Sequence, residues 1–474
     1  MKAAPLATLG TLAALLPGAR RLGDAATPIT RVHSDSRSVQ PGDLFVALRG
    51  ERFDGHDYLA SARAAGAAAA LAEQGLQAAG LAGLEVADSL QALQQLAAGW
   101  RAGFTLPLAV VVGSNGKTTV TQMVAACLRA AHGEAAFATR GNLNNHIGLP
   151  LTLLALRPGH RAGVVELGTN HPGEIAQLAR LAAPTVVLVN NAQREHQEFL
   201  DGLEAVAVEN GSAIAALPVD GRVVLPAADA MQPLWRRLAG ARAVTTFALD
   251  DGSDAAGPAM AGEHPLVGRA RWQGAAWALE LHTPQGRIEA TVPVAGRHNA
   301  LNAVAAAACA LELGVPPQAV AQGLAAFQPV AGRSRTLALN WQGRAATLVD
   351  DAYNANPDSV IAAIDVLATL PAPRWLLLGD MAEVGQQGPA FHAEVGRHAA
   401  AAGLDAVWTA GAASAVAAAE CGARARHFER VEELLLALPQ GPAAASVLVK
   451  GSRSMRMERV VQALQGAGGT GDAA

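Results

Sequence analysis

Apolar residues in this chain gather in short, nearly unbroken runs. Residues 109–112, 163–167, 185–189 and 222–225 form one series, and 347–349, 375–378, 406–408 and 447–449 form a second. Each run is a few residues long, ends in a polar or glycine-rich turn, and is separated from the next by an alanine-rich helical stretch. Strands apolar on both faces belong in parallel sheets covered by helices, so the pattern predicts two α/β sheets. Upstream, 43–48 reads as a strand after the turn Pro41-Gly42, 58–66 and 90–103 read as helices, and 67–72 is a further apolar run. Residues 246–262 are turn-rich and read as a loop, whereas 270–294 alternate and read as antiparallel strands. Leu6, Leu9, Leu12 and Leu16 recur at helical spacing, which predicts an amphipathic first helix over 3–16 rather than a signal peptide. The end, 466–474, is expected to be disordered. Its Gly466-Ala467-Gly468-Gly469-Thr470-Gly471 satisfies GxGxxG but follows no strand, so no dinucleotide site is expected there.

Composition narrows the classes. At 474 residues the chain has room for about three domains. Lys and Arg total 36 against 40 Asp and Glu, a net charge of −4, which argues against a general nucleic-acid binder. Cys127, Cys309 and Cys421 are far apart and form no CxxC pair, so neither a disulfide framework nor a cysteine zinc site is expected, and a reducing, cytoplasmic setting fits. No run reaches the roughly 20 apolar residues of a membrane span.

The sharpest chemical signal is Gly113-Ser114-Asn115-Gly116-Lys117-Thr118-Thr119. It follows a buried run and opens a helical stretch, 120–130. Glycines let backbone N–H groups approach phosphate oxygens, and a helix N-terminus adds positive potential. Lys117 is placed to neutralise terminal phosphates and Thr118 to offer its hydroxyl to Mg²⁺. The loop is shorter than GxxxxGK[ST], because position 111 is Val. Glu166 ends the second run of the first series and His196 follows the third. At the C-terminal edge of a parallel sheet both are candidate metal ligands beside the loop.

Further segments join these: Asp35-Ser36-Arg37, Pro41 to Leu48, Gly141-Asn142-Leu143-Asn144-Asn145-His146-Ile147-Gly148, Gly296-Arg297-His298-Asn299 with Asn302, Asp350-Asp351-Ala352-Tyr353-Asn354-Ala355-Asn356-Pro357, Gly379-Asp380-Met381-Ala382-Glu383, and Val449-Lys450-Gly451-Ser452-Arg453-Ser454-Met455. Together they resemble the Mur ligase family over nearly the whole chain. The resemblance implies three α/β domains: a small UDP-sugar substrate domain at 1–103, a central P-loop ATPase domain with a parallel sheet at 104–330, and a Rossmann-like amine-substrate domain at 331–465. It implies an ATP- and Mg²⁺-dependent ligase that joins D-Ala-D-Ala to UDP-N-acetylmuramoyl-tripeptide through an acyl phosphate, and a monomer. It also implies catalytic roles for Lys117, Glu166, His196, Arg333 and Asp351, and metal contacts from Thr118, Glu166 and His196. Nucleotide contacts are implied for residues 113–119, Asn299, Asn302, Arg333, Asp351, Tyr353 and Asn354, and substrate contacts for Ser36, Arg37, Asn144 and Asn145.

One departure stands out. The resemblance implies a carbamylated lysine in the helix after His196, and that position is Asn210, which cannot form a carbamate. Glu209 or a water network is expected to substitute. The rival readings are the diamino-acid-adding ligase, a folate polyglutamate synthase and an inactive nucleotide-binding relative. The first usually carries Asp-Asn-Pro-Arg where this chain has Asn354-Ala355-Asn356-Pro357-Asp358, and the second lacks the Asp35-Ser36-Arg37 region. His392 and His398 are six apart and read as no metal pair, while Arg453, Arg456 and Arg459 read as a solvated helix face, with dipeptide-carboxylate binding as the minority role.

Overall fold

The computed structural model describes residues 5–195, 197–200, 202–250, 263–283 and 286–467. It contains three larger sheets. The first orders Arg20–Leu22, Gly83–Glu85, Ala69–Ala72, Asp43–Val46 and Arg31–His33, parallel except for Arg20–Leu22. The second holds nine strands. Its parallel part runs Ala136–Ala138, Ala162–Glu166, Leu108–Val112, Val186–Val189, Arg222–Pro226, Ala243–Leu249 and Glu263–Trp272; Trp277–Thr283 and Gly286–Val292 then extend the sheet antiparallel. The third orders Arg335–Trp341, Arg344–Asp351, Ser446–Lys450, Arg374–Gly379, Ala406–Ala410 and Ala425–Phe428, with only the first strand antiparallel.

Both predicted series are thus present as buried parallel strands. Leu108–Val112, Ala162–Glu166 and Val186–Val189 are buried at every residue, as continuous apolar strands require. Leu108–Val112 is the topological switch point. The chain leaves it towards Ala136–Ala138 and Ala162–Glu166 on one side, then returns to Val186–Val189 on the other. The crevice beyond the carboxyl ends of these strands is the expected ligand position in an open α/β sheet.

Three expectations are corrected. The first helix spans only Leu9–Ala14, because Thr8 caps it by accepting from the Thr11 amide and residues 7–8 pair as a strand with Pro28–Ile29. Thr246 to Leu249 belong to a buried strand, not a loop, since polar Thr245 and Thr246 sit inside a sheet whose apolar partners come from other segments; residues 251–262 lie outside the described ones. Gly466 and Ala467 continue the helix Glu458–Ala467, and 468–474 lie outside the described residues.

Helix Lys117–His132 packs on Pro317–Ala326 so closely that a Cβ on Gly323 would stand 2.3 Å from the Cys127 Cα. The three cysteines are free and buried. Burial pushes the Cys127 thiol up to about 12, so it is inert at neutral pH. No helix among the described residues is long and apolar enough to cross a membrane.

Candidate active site

A cleft of about 720 Å³ opens at the switch point, lined by Ser114 to Lys117, Glu166 and Glu195 of the central sheet and by Arg333, Asp351, Tyr353 and Lys450 of the C-terminal sheet. The loop geometry follows from its sequence. Gly116 has φ +81° and precedes the helix Lys117–His132. A Cβ there would stand 2.6 Å from Asn302 Oδ1 and 2.7 Å from Asn190 Nδ2, so only glycine fits. Three asparagines then brace the loop from behind. Asn190 Nδ2 donates to the Asn115 carbonyl (2.8 Å) and to Asn302 Oδ1 (3.0 Å), Asn302 Nδ2 donates to Asn299 Oδ1 (3.1 Å), and Asn299 Nδ2 donates to the Ala295 carbonyl (2.7 Å). Asn299 and Asn302 line the cleft as well as supporting the loop.

Lys117 is half-buried. Its ammonium donates to the Gly113 carbonyl (2.6 Å), the Ser114 carbonyl (3.0 Å) and Glu195 Oε1 (3.0 Å). Thr118 is buried and Thr119 lines the cleft. Glu166, 3% exposed, ends its strand at the cleft and accepts from Asn144 Nδ2 at 2.6 Å. His196 lies outside the described residues. The oxygen donors of Thr118 and Glu166 are hard ligands of the kind Mg²⁺ takes.

The C-terminal side is built on sheet register. Asp351 and Lys450 are partners at the carboxyl ends of adjacent parallel strands. Lys450 Nζ donates to Asp351 Oδ2 (2.5 Å) and to the Asn354 carbonyl (3.0 Å), while the Ser334 amide donates to Asp351 Oδ1 (2.8 Å). Burial alone raises the Asp351 carboxyl, but the charge and hydrogen bond of Lys450 outweigh it and hold the group below the ordinary carboxylate range. Burial holds the nearby His298 imidazole below its usual range despite the Asp351 charge. Arg333 lies over the Tyr353 ring, 4.2 Å from its centroid, and Arg453 stands 5.4 Å away.

The remaining expected residues divide between the cleft and places outside it. Asn144 and Asn145 both line the cleft, although Asn145 Oδ1 also accepts from the Ile147 and Gly148 amides. Ser36 and Arg37 form a short 3₁₀ turn on the N-terminal sheet, Arg37 paired with Asp35, and neither lines the cleft. Arg453, Arg456 and Arg459 do not share a helix face: Arg456 is left-handed (φ +53°) and the helix starts at Glu458. Arg453 lines the cleft and Arg459 pairs with Glu432. His392 is buried, its Nε2 accepting from the Met381 amide. Glu209 does not replace the missing lysine. Its two oxygens accept from the Gly173 (2.7 Å) and Ile175 (2.8 Å) amides at the start of helix Glu174–Ala182, and it does not line the cleft. Asn210 instead accepts from the Gly113 amide (3.0 Å) and so braces the phosphate loop. Glu209→Ala leaves the buried Ile175 amide without its acceptor and should cost about 1–3 kcal/mol in urea unfolding; an unchanged midpoint would show the cap to be dispensable.

Sequence reasoning passed over Asn190, Asn191, Arg194, Glu195 and Asn356. For the first four the available signal was the density of polar residues directly after the buried strand Val186–Val189, where the carboxyl end of a parallel strand meets the crevice.

Comparison with known proteins agrees with this geometry. Family models match residues 28–101 (Mur ligase family, catalytic domain), 111–310 (Mur ligase middle domain) and 332–453 (Mur ligase, glutamate ligase domain). The UDP-N-acetylmuramoyl-tripeptide–D-alanyl-D-alanine ligase of Escherichia coli K12 is 38% identical over 97% of this chain and 98% of its own. A crystal structure of MurF from Acinetobacter baumannii superposes with a TM-score of 0.86 at 31% identity, covering 98% of this chain and all of the other. MurF from Thermotoga maritima in complex with ADP superposes at 0.76 and 26% identity, covering 92% and 97%. With a cleft between a P-loop sheet and a second α/β sheet, and this similarity along nearly its whole length, the chain belongs to the Mur ligase family.

Proposed function

We propose that the chain is an ATP-dependent ligase joining D-alanyl-D-alanine to UDP-N-acetylmuramoyl-tripeptide. The observation that carries this reading is the shared cleft, with the phosphate loop on one wall and Arg333, Asp351, Tyr353 and Lys450 on the other. The names and coverage of the relatives select this ligase over the diamino-acid and folate alternatives. The tripeptide's terminal carboxylate oxygen attacks the γ-phosphorus of ATP and ADP leaves. The dipeptide's amine then attacks the acyl carbon, phosphate leaves, and the nitrogen loses a proton to give the amide. Both steps gather anionic oxygens, so preorganised positive charge is the main requirement. Lys117 supplies it on the central side, with Arg333 positioned opposite. Mg²⁺, when bound, offsets phosphate charge; Thr118 and Glu166, with His196, are the residues proposed to hold it. Asn299, Asn302, Tyr353 and Asn354 are assigned to the nucleotide, Asn144 and Asn145 to the tripeptide, and Ser36 and Arg37 to the UDP end. Domain limits at 1–103, 104–330 and 331–465, a monomer and a cytoplasmic setting complete the proposal.

The test is phosphate release with ATP, Mg²⁺, the UDP-tripeptide and D-Ala-D-Ala, each omitted in turn. Release that needs both peptides, with a product heavier by the dipeptide less water, supports the reading. ATP binding without release under any combination would sink it in favour of the inactive relative. Because Asn210 holds the Gly113 amide and carries no amine, activity should be unchanged when bicarbonate is stripped and restored; recovery on adding bicarbonate would overturn that expectation.

A further inference from the structure

A forked ion pair between the central and C-terminal domains is made by a residue given no role above. Arg194, in the loop after strand Val186–Val189, reaches two helices of the C-terminal domain. Its Nη2 donates to Asp358 Oδ1 (2.7 Å), its Nε to the same carboxylate (3.1 Å), and its Nη1 to Glu394 Oε2 (2.6 Å). The backbone amide of Arg194 also donates to Asp358 Oδ2 (2.8 Å), and the guanidinium lies 5.2 Å from the centre of the Phe391 ring. Asp358 lies in the first turn of helix Pro357–Thr369, and Glu394 lies on Gly388–Ala401. An exposed single ion pair contributes little. This one is forked, about a quarter exposed at Arg194 and Asp358, and shared between two carboxylates, which is the geometry in which guanidinium contacts are strong and directional.

The neighbouring residue faces the opposite way. Glu195 accepts from the Lys117 ammonium, and consecutive Cα atoms are only about 3.8 Å apart. One short segment thus holds the C-terminal domain with one side chain and the phosphate lysine with the next. A second contact supports the same docking. Asn356, the cap of helix Pro357–Thr369, exchanges carboxamide hydrogen bonds with Asn115 of the phosphate loop (2.9 and 3.3 Å). The start of one helix thus touches the central domain on both sides of Lys117.

We infer that Arg194 is a positioning residue: by clamping Asp358 and Glu394 it docks the amine-binding domain and, through Glu195, sets the Lys117 ammonium in the cleft. The Glu195 that pairs with Lys117 sits next to the clamped Arg194, so the clamp holds the segment that carries this partner of the lysine. Phosphoryl transfer is thereby tied to the arrangement in which the amine can reach the acyl phosphate. This rests on the ligase reading for its catalytic consequence, but not for its structural one.

The experiment pairs two readouts on the full chain. Dyes at one exposed site on each of the two domains report their separation without any substrate. Arg194→Ala should broaden and lengthen that separation, Arg194→Lys should do so partially, and Asp358→Asn with Glu394→Gln should reproduce Arg194→Ala from the other side. In kinetics, kcat should fall by about 10–100-fold, as for loss of alignment. KM for the UDP-tripeptide should move by less than about two-fold. Added salt should lower wild-type kcat and leave Arg194→Ala unaffected. Combining all three substitutions should be no worse than Arg194→Ala alone, as expected for one shared contact. Unchanged dye distances, or additive losses, would overturn the inference. Dye distances that respond in a protein without ligase activity would overturn the functional proposal and leave the clamp standing.

Discussion

Replacing Lys117 by Met should lower phosphate release by about 10²–10³-fold, the loss typical of removing one preorganised charge from a developing oxyanion. The ammonium stands at the N-terminus of helix Lys117–His132, in a half-buried position on the cleft wall. Water cannot substitute for it there at equal strength, because the local dielectric is low. Lys117→Arg should recover little, since the guanidinium fork does not fit between the Gly113 and Ser114 carbonyls that receive a compact ammonium. The kinetic loss must be read beside a melting curve, because Glu195 is left without Lys117 in the variant. Release within about ten-fold of wild type, in a protein that melts normally, would remove Lys117 from the transition state.

The second large effect concerns stability. Lys450→Met should destabilise the C-terminal domain by about 3–5 kcal/mol, since it strands the Asp351 charge inside the protein. The Asp351 carboxylate is 14% exposed and the Lys450 side chain 4%, so neither has water to fall back on. Removing both charges together, with Asp351→Asn and Lys450→Met, should restore much of the loss, because a buried pair is expensive mainly when half of it is missing. The measurement is urea unfolding followed by a probe in the C-terminal domain, since a three-domain chain does not unfold in one step. The acid dependence has a definite sign. Asp351 has a folded pKa below its unfolded value, which is near 3.9. Its stabilising contribution is therefore fully present above about pH 4 and is lost as the pH falls through the depressed folded value. In Lys450→Met the lowering influence is gone, and this acid-side dependence should shrink or reverse. A variant as stable as wild type with the same acid profile would show that the pair contributes nothing.

These two predictions differ in how far the sequence alone carries them. Lys117 was legible because a phosphate loop is one contiguous segment: a buried strand, a glycine turn and a helix start, all within a dozen residues. The strands flanking it were legible for a related reason. A strand covered on both faces has no solvent side, so its burial is written into an unbroken apolar run such as Leu108–Val112. Strands that lie at sheet edges or carry polar residues were not legible. Arg20–Leu22, Arg31–His33 and Ala425–Phe428 are short and half-exposed, and their partners, not their own composition, make them strands. The same holds for Thr245 and Thr246, which are buried between neighbours from other segments.

The sequence by itself determined the two parallel sheets and the phosphate loop, because each is encoded in local runs, and the family, because many short motifs along the chain match it together. Only the tertiary structure decided that Lys450 pairs with Asp351, that Asn190, Asn299 and Asn302 brace the loop, that Glu209 caps a helix while Asn210 holds Gly113, and that Arg194 clamps the C-terminal domain. Asn115 and Asn356 meet across 241 residues of chain. Polar side chains take their roles from partners within about 3 Å, and which partners arrive is set by sheet register and domain docking, neither of which leaves a periodic trace in the sequence.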